Sequence, residues 1–248
     1  MYMGELPRYR EIDVARGIAI VMMVLYHTLF DLSFFRVVSL EVSEGFWRYF
    51  AFATATLFLL VVGISLTISH SRVTAGFSSA RIALKYVKRG TGIFFLGLFV
   101  TLGTWLYLRE GFIVFGILHL IGVSIVLSPL FFRFKKWNTP LGLLWVLAGG
   151  ILAQMEGPAW LLPLGVHPVS FWSVDYEPLF PWFGCVLIGM GLGEYLYPKG
   201  LRGFTPPRVP GIIEQPLAFL GKNSLIIYLV HQPVIIFLIA AVTGVKVW

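Results

Sequence analysis

The sequence predicts an all-α polytopic membrane protein, a bundle of about seven transmembrane helices with no soluble domain within residues 1–248. Of the 248 residues, 58% are hydrophobic and only 12% are charged, and the mean hydropathy is +0.84. A soluble globular domain carries roughly 25% charged residues. Apolar runs of the length that a helix needs to cross about 30 Å of hydrocarbon also recur along the chain. We therefore expect one transmembrane domain.

The apolar runs define the predicted elements in order. The first follows a polar N-terminal stretch, and no small-residue cleavage site comes after it, so it predicts a retained span rather than a signal peptide. The fifth is shorter than the others and contains glycine. The seven predicted spans are 16–35, 46–69, 90–108, 112–132, 140–154, 179–197 and 223–244. The glycine- and proline-rich stretch "YPKGLRGFTPPRVPG" before the last span predicts a loop.

Charge distribution predicts the orientation. Fifteen of the nineteen Lys and Arg residues fall on the side that includes the N-terminus, and four fall on the other. The positive-inside rule then places the N-terminus in the cytoplasm and the C-terminus outside a cell membrane. The same rule accounts for the net charge of +7, so we expect no nucleic-acid partner. Cys185 is the single cysteine, which excludes an intrachain disulfide.

The first span contains ionisable residues at membrane depth. Arg16 and His27 are eleven residues apart, about three helical turns, so they lie on nearly the same helix face. Asp31 is four residues beyond His27 and is positioned to reach its ring, which would fix the tautomer of the imidazole. Asp13, three residues before Arg16, is most simply its ion-pair partner. A carboxylate facing lipid would be costly, so Asp31 must face protein, water or His27.

Two more histidines, His119 and His231, are predicted to lie at a similar depth. His119 is nine residues from Glu110 at the outer end of the fourth span, and His231 is nine residues from Lys222 at the inner end of the seventh. Each separation is a helical rise of about 13–14 Å. Three imidazoles near the middle of one bilayer indicate a polar chamber. A buried histidine can instead serve only as a hydrogen-bond partner between helices. That structural interpretation weighs most for His119 and least for His27.

Four blocks carry a resemblance to a known family. They are "RYREIDVARGIAIVMMVLYHTLFDL", "FGILHLIG" (115–122), "DYEPLFPWFGCVLIGMGLG" (175–193) and "LGKNSLIIYLVHQPV" (220–234). Together, and in this order, they resemble the catalytic domain of heparan-alpha-glucosaminide N-acetyltransferase and its compact prokaryotic relatives. "RGIAIVMMVLYH" also resembles the Arg-x10-His pattern of membrane acyltransferases that acylate sugars.

The resemblance implies acetyl transfer from cytosolic acetyl-CoA to the amine or hydroxyl of a glycan or amino-sugar acceptor, without a metal. It matches Arg16 and His27 to the sugar O-acyltransferase pattern and Asn223, Ser224, Tyr228 and His231 to the "NS...Y..H" block. The glucosaminide enzyme has an asparagine at the position of His27. Its proposed active histidine follows the first span, where this chain has no histidine from Thr28 to Ser69. Family members often pair, so a homodimer is possible.

Acetyl transfer needs a base near the operating pH, and imidazole is the side chain closest to it. His27, oriented by Asp31, is the candidate for general base or for an acyl-accepting nucleophile. Oxyanion donors would come from Asn223, Ser224, Tyr228 or His231.

The phosphates of CoA require cations. Arg81, Lys85 and Lys88 share a helical face, and Arg16 lies at the cytoplasmic end of the His27 face. The positive-inside rule explains the charge of Arg81, Lys85 and Lys88 equally directly. Tyr228 and His119 complete the residues assigned to the CoA side.

Two other function classes remain open from the residues alone. A proton-coupled or small-solute transporter would use the same buried histidines and aspartate. However, no duplicated halves are visible in the sequence. A structural membrane subunit would be indifferent to substitution at Arg16, His27 and Asp31.

Overall fold

The computed structural model describes residues 8–73 and 78–246, and helices dominate this part of the chain. The eight α-helices of the described residues are α1 (Arg10–Phe34), α2 (Gly45–Val73), α3 (Ser79–Leu108), α4 (Ile117–Phe131), α5 (Asn138–Leu152), α6 (Leu179–Leu196), α7 (Gly211–Lys222) and α8 (Ser224–Thr243). Short 3-10 turns lie at Phe132–Trp137, Ala159–Leu164 and Pro198–Gly200. The predicted all-helical class is confirmed.

Six segments of the described residues are long and apolar enough to cross a membrane. They are Arg10–Phe34, Gly45–Arg72, Ser79–Leu108, Ile117–Leu152, Leu179–Leu196 and Ser224–Thr243. The fourth of these contains both α4 and α5, where the sequence predicts two separate spans. Lys135, with φ 49° and ψ −120°, breaks the helical backbone between them. A multi-pass membrane protein is therefore supported, while seven spans and the side of each terminus stay predictions.

Two elements differ from the predicted boundaries. Helix α3 begins eleven residues before the predicted third span, because its polar first turns are helical although they are too charged for the bilayer. The side chain of Ser78 accepts a hydrogen bond from the backbone N–H of Arg81 and caps this start. Helix α7 was not predicted, and Pro216 lies within it. Asn223 ends α7 and immediately precedes α8.

By internal contacts the chain forms two compact units, one of residues up to 58 together with 206 onwards and one of residues 59–205. A single domain over 1–248 stays a prediction. In the first unit, α1 packs against α7 and α8. The close approach of α1 and α7 depends on glycine, since a Cβ added at Gly17 or Gly221 would overlap backbone atoms of the facing helix.

The second unit is built from the helix pairs α3–α4 and α5–α6. Gly90 faces Gly122 in the first pair, and Gly142 faces Gly184 in the second, where an added Cβ would meet backbone within 3 Å. The core contains fully buried residues of α6, among them Phe183 and Met190. The carbonyl of Met190 accepts a hydrogen bond from Thr67 Oγ1 at 2.9 Å.

Candidate active site

Two imidazoles meet where α1 packs on α8. The rings of His27 and His231 have centroids 4.9 Å apart and an interplanar angle of 60°. Tyr26 packs against His27 at 5.8 Å between ring centroids, and Tyr228 packs against His231 at 5.5 Å. Their contact makes this seam the candidate site, while their depth in the bilayer stays a prediction.

The hydrogen bond of His231 fixes its tautomer. Its Nδ1 lies 2.6 Å from the backbone carbonyl oxygen of Tyr228, one turn earlier on α8. A carbonyl oxygen can only accept, so Nδ1 carries the proton and Nε2 holds the lone pair. His231 is 8% exposed, and Nε2 is buried without a hydrogen-bond partner among the described residues. The side chain therefore offers a basic nitrogen that nothing in the described protein occupies.

Asp31 has a different partner from the one that the sequence indicated. Its two carboxylate oxygens accept hydrogen bonds from Gln232 Nε2 at 2.8 and 2.9 Å, and the residue is 3% exposed. The sequence predicts that Asp31 orients the ring of His27 within α1, but the hydrogen bonds of Asp31 run to α8 instead. The amide of Gln232 supplies the donor that a buried carboxylate needs.

The other residues of the predicted "NS...Y..H" block lie at different levels of α8. Asn223 is eight residues before His231 and Ser224 is seven, so the helix rise separates them from it by about 12 and 10 Å along the axis. Asn223 Nδ2 donates to the carbonyl of Phe219 at 2.9 Å, which stabilises the junction with α7. Of this block, only Tyr228 is brought to His231.

Arg16 joins α1 to α7. Its Nη1 donates to Asp13 Oδ1 at 3.1 Å and to the carbonyl oxygen of Gly221 at 3.4 Å. The predicted pairing of Asp13 with Arg16 is thus confirmed. Arg8 also binds Asp13, through Nε at 2.7 Å and Nη2 at 3.0 Å. Two guanidinium groups thus share one buried carboxylate.

The remaining predicted cations lie in the other compact unit, on the first turns of α3. Arg81, Lys85 and Lys88 are all exposed there. Their predicted common face is consistent with the buried positions Ile82 and Tyr86, which turn the opposite side of the helix inward.

His119 in the second unit has both ring nitrogens engaged. Nδ1 accepts a hydrogen bond from the backbone N–H of Gly116 at 3.2 Å, so the proton is on Nε2, which lies 3.4 Å from Thr101 Oγ1. The ring is 2% exposed and packs against Phe94 and Phe115, with centroids 5.2 and 5.5 Å away. This arrangement favours the structural interpretation of His119.

Sequence reasoning missed Gln232. It lies next to His231 in "LVHQPV" and faces the carboxylate of Asp31, and its second amide atom, Oε1, is buried without a partner among the described residues. An amide inside an apolar span was a detectable signal, because such a group must find partners in the protein. Its long-range partner was not detectable from either helix alone.

A second missed feature is the pair of acids before α6. Residues 173–177 run beside 111–115: the N–H of Val174 donates to Gly111, and that of Glu177 donates to Phe115, each at 2.9 Å. This brings Asp175 to the start of α4, where it accepts a hydrogen bond from the backbone of Ile117. Asp175 thereby caps a helix whose own N-cap residue is a glycine.

Both acids of that segment are shifted towards their neutral forms. Burial raises the pKa of Asp175 to about 6, against the smaller opposing effect of its backbone hydrogen bond. Burial and then the nearby charge of Asp175 raise the pKa of Glu177 well above its ordinary value. Glu177 Oε2 is buried and has no partner among the described residues. Tyr176, between them, donates its hydroxyl to the carbonyl of Leu162 at 2.7 Å.

Comparison with known proteins bears on this geometry. The sequence profile of the family described as heparan-alpha-glucosaminide N-acetyltransferase, catalytic, matches residues 8–233, which include His27, Asp31, His231 and Gln232. The chain belongs to that family. No curated protein and no solved structure shows a significant match. Membership in the heparan-alpha-glucosaminide N-acetyltransferase catalytic family indicates a membrane acetyltransferase, in agreement with the apolar helices.

Among the described residues, no group of three or more His, Cys, Asp or Glu side chains is arranged to hold a metal ion. In the first unit, Asp31 and Gln232 lie within one helical turn of the two imidazoles.

Proposed function

We propose that this protein transfers an acetyl group from acetyl-CoA to the amine or hydroxyl of a sugar acceptor, with the His27–His231 pair as its reactive centre. The observation that carries the proposal is the contact of two imidazoles at 4.9 Å in a member of an acetyltransferase family. Imidazole is the side chain best matched to proton transfer near neutral pH.

The geometry of His231 supports a direct transfer. Its Nε2 removes the proton from the acceptor amine or hydroxyl while that nitrogen or oxygen bonds to the acetyl carbonyl carbon. The carbon–sulfur bond then breaks, and the proton passes from Nε2 to the departing CoA thiolate. Hydrogen bonding of Nδ1 to the Tyr228 carbonyl stabilises the imidazolium formed on the way.

His27 has a defined place in this scheme. Two imidazolium ions about 5 Å apart in a low-dielectric seam would repel strongly, so the pair holds one added proton at a time. In a direct transfer, His27 is proposed to position the ring of His231 through their contact. The alternative chemistry for His27, as a nucleophile that carries the acetyl group itself, predicts an acetyl-imidazole intermediate.

Cations are proposed to receive the phosphates of CoA from the cytoplasmic side, and each unit offers its own candidates. Arg81, Lys85 and Lys88 are exposed, and α3 contains no acidic residue. Arg16, in the first unit, shares the carboxylate of Asp13 with Arg8. Electrostatic attraction of the polyanionic substrate is the expected effect. The proposal places the N-terminus in the cytoplasm and the protein in a cell membrane.

The test is CoA release by purified protein in detergent, measured as free thiol, with acetyl-CoA and D-glucosamine. His27→Ala and His231→Ala should each lower the rate about 10²–10⁴-fold, the usual value of general acid–base catalysis. His167→Ala is the matched control, because His167 lies in the segment between α5 and α6. It should retain the wild-type rate.

Mass spectrometry of quenched protein distinguishes the two chemistries, because acetylation of His27 would replace direct transfer by a two-step path. Solute flux in proteoliposomes with no CoA release would contradict the proposal and favour the transporter.

A further inference from the structure

We infer that Gln232 Oε1 and His231 Nε2 form a two-point recognition site for the acceptor, which selects substrates carrying two neighbouring hydrogen-bond donors. One donor is the amine or hydroxyl that becomes acetylated, and the other is a hydroxyl on the adjacent carbon. This inference rests on the proposed acetyl transfer and names Gln232 as the residue that sets specificity for the acceptor.

The orientation of the Gln232 amide is fixed from outside its own helix. Nε2 donates to both oxygens of Asp31, at 2.8 and 2.9 Å. While Asp31 is ionised, its carboxylate only accepts hydrogen bonds, so the amide nitrogen faces it. Rotating the amide by 180° would lose two charge-assisted bonds and set an oxygen against the carboxylate. Oε1 therefore points away from Asp31 and cannot exchange places with Nε2.

The two free atoms are both acceptors. Gln232 Oε1 and His231 Nε2 are buried, and neither has a hydrogen-bond partner in the described part of the chain. A buried acceptor without a partner is unfavourable, and a ligand that donates to it removes that cost. A ligand with only acceptors, or with none, would leave it in place.

The two acceptors also lie close along the helices. His231 and Gln232 are consecutive on α8, and they contact His27 and Asp31, which are one turn apart on α1. One helical turn rises about 5.4 Å. Both free atoms thus belong to consecutive side chains that contact α1 within about one helical turn, a spacing compatible with two neighbouring substituents of one sugar ring.

The chemical class follows from these constraints. A vicinal amino alcohol or a vicinal diol, as found on hexosamines and hexoses, supplies two donors on adjacent carbons. A plain ring amine supplies one site of donation and leaves Gln232 Oε1 unpaired. Sites built to bind a polar group discriminate strongly against analogues that lack it, because the buried partner is then left unsatisfied.

The experiment compares kcat/KM for D-glucosamine and for cyclohexylamine, a ring amine without hydroxyls, in the same thiol-release assay. The wild type should prefer glucosamine by about 10²-fold or more. Gln232→Met, which keeps the length but removes the acceptor, should lower the preference to within about threefold. Gln215→Met on α7 is the matched control and should keep the wild-type preference.

Gln232→Met also removes the donor from Asp31, so a second variant separates recognition from stability. Asp31→Leu combined with Gln232→Met removes the buried carboxylate together with its partner. It should recover thermal stability relative to Gln232→Met while the preference stays lost. A preference that returned with stability would show that Gln232 acts only through folding and would overturn the inference.

The wild type itself distinguishes failure of the inference from failure of the proposed function. Equal turnover of both amines would overturn the two-point site and leave acetyl transfer standing. Transfer to neither amine, with no CoA release, would contradict the proposed function and the inference with it.

Discussion

Replacing Gly221 by alanine should destabilise the protein, because this residue brings α7 against the backbone of α1. A Cβ at position 221 would overlap the carbonyl oxygen of Asp13 and lie 3.0 Å from the backbone nitrogen of Gly17. These are main-chain atoms of a packed helix, so no side-chain rotation relieves the overlap. The two helices must separate.

The expected magnitude follows from two opposing effects. Alanine is favoured over glycine in a helix by about 1 kcal/mol. Overpacking costs typically 1–3 kcal/mol, and contact with backbone places this case at about 3 kcal/mol. The net loss is therefore about 2 kcal/mol. For a chain of this length, that corresponds to a midpoint lower by roughly 4–8 °C.

The assay is thermal unfolding in detergent with Gly92→Ala as the matched control. Gly92 also lies within a helix, α3, but a Cβ there meets nothing within 4 Å. Its variant should unfold at the wild-type temperature or slightly above it. If Gly221→Ala and Gly92→Ala unfolded at the same temperature, the close approach of α1 and α7 would not be what stabilises their packing.

Three further predictions concern the second unit. Asp175 has a pKa of about 6 in the folded protein, against an ordinary 3.8, so its contribution to stability is greatest below about pH 4 and declines up to about pH 6. Asp175→Asn should flatten this decline in thermal stability with pH, and an unchanged slope would contradict the prediction. His119→Phe should lower the unfolding free energy by about 1–3 kcal/mol, because it leaves two hydrogen-bond partners unpaired. The affinity for CoA, measured by calorimetry, should not change, and a selective loss of CoA binding would support the ligand role predicted for His119. Joint replacement of Arg81, Lys85 and Lys88 by glutamine should weaken CoA binding about tenfold at low salt and reduce its salt dependence. An unchanged affinity would mean that these residues serve only to orient the chain in the membrane.

Apolar run length located most of the helices but not all of them. It placed α6 and α8 within one residue of their observed bounds, because a helix crossing the bilayer is apolar nearly throughout. It missed the first turns of α3, where Arg81 and Lys85 are helical yet polar, since hydropathy reports the surroundings and not the helix itself. It missed α7, whose sequence combines Pro216 with a preceding proline-rich loop.

The candidate site was partly predictable. The sequence indicates His27 and His231, because an imidazole within an apolar span is costly without a function, and the structure brings the two rings together. The partner of Asp31 was not predictable, because helical periodicity reports neighbours within α1 and Gln232 approaches from α8. The capping of α4 by Asp175 was not predictable for the same reason, because Asp175 is distant in sequence from the helix that it stabilises.

The two halves of the proposed recognition site depend on different parts of the chain. The proton on His231 Nδ1 is held by a carbonyl of its own helical turn, whereas the amide of Gln232 is held only by a residue of another helix. Under the proposed acetyl transfer, a momentary separation of α1 from α8 would release the acceptor hydroxyl from Gln232 but leave His231 Nε2 able to accept a proton. Water would then compete with the sugar as the acceptor, so the proposal expects hydrolysis of acetyl-CoA to increase when this helix contact is loosened.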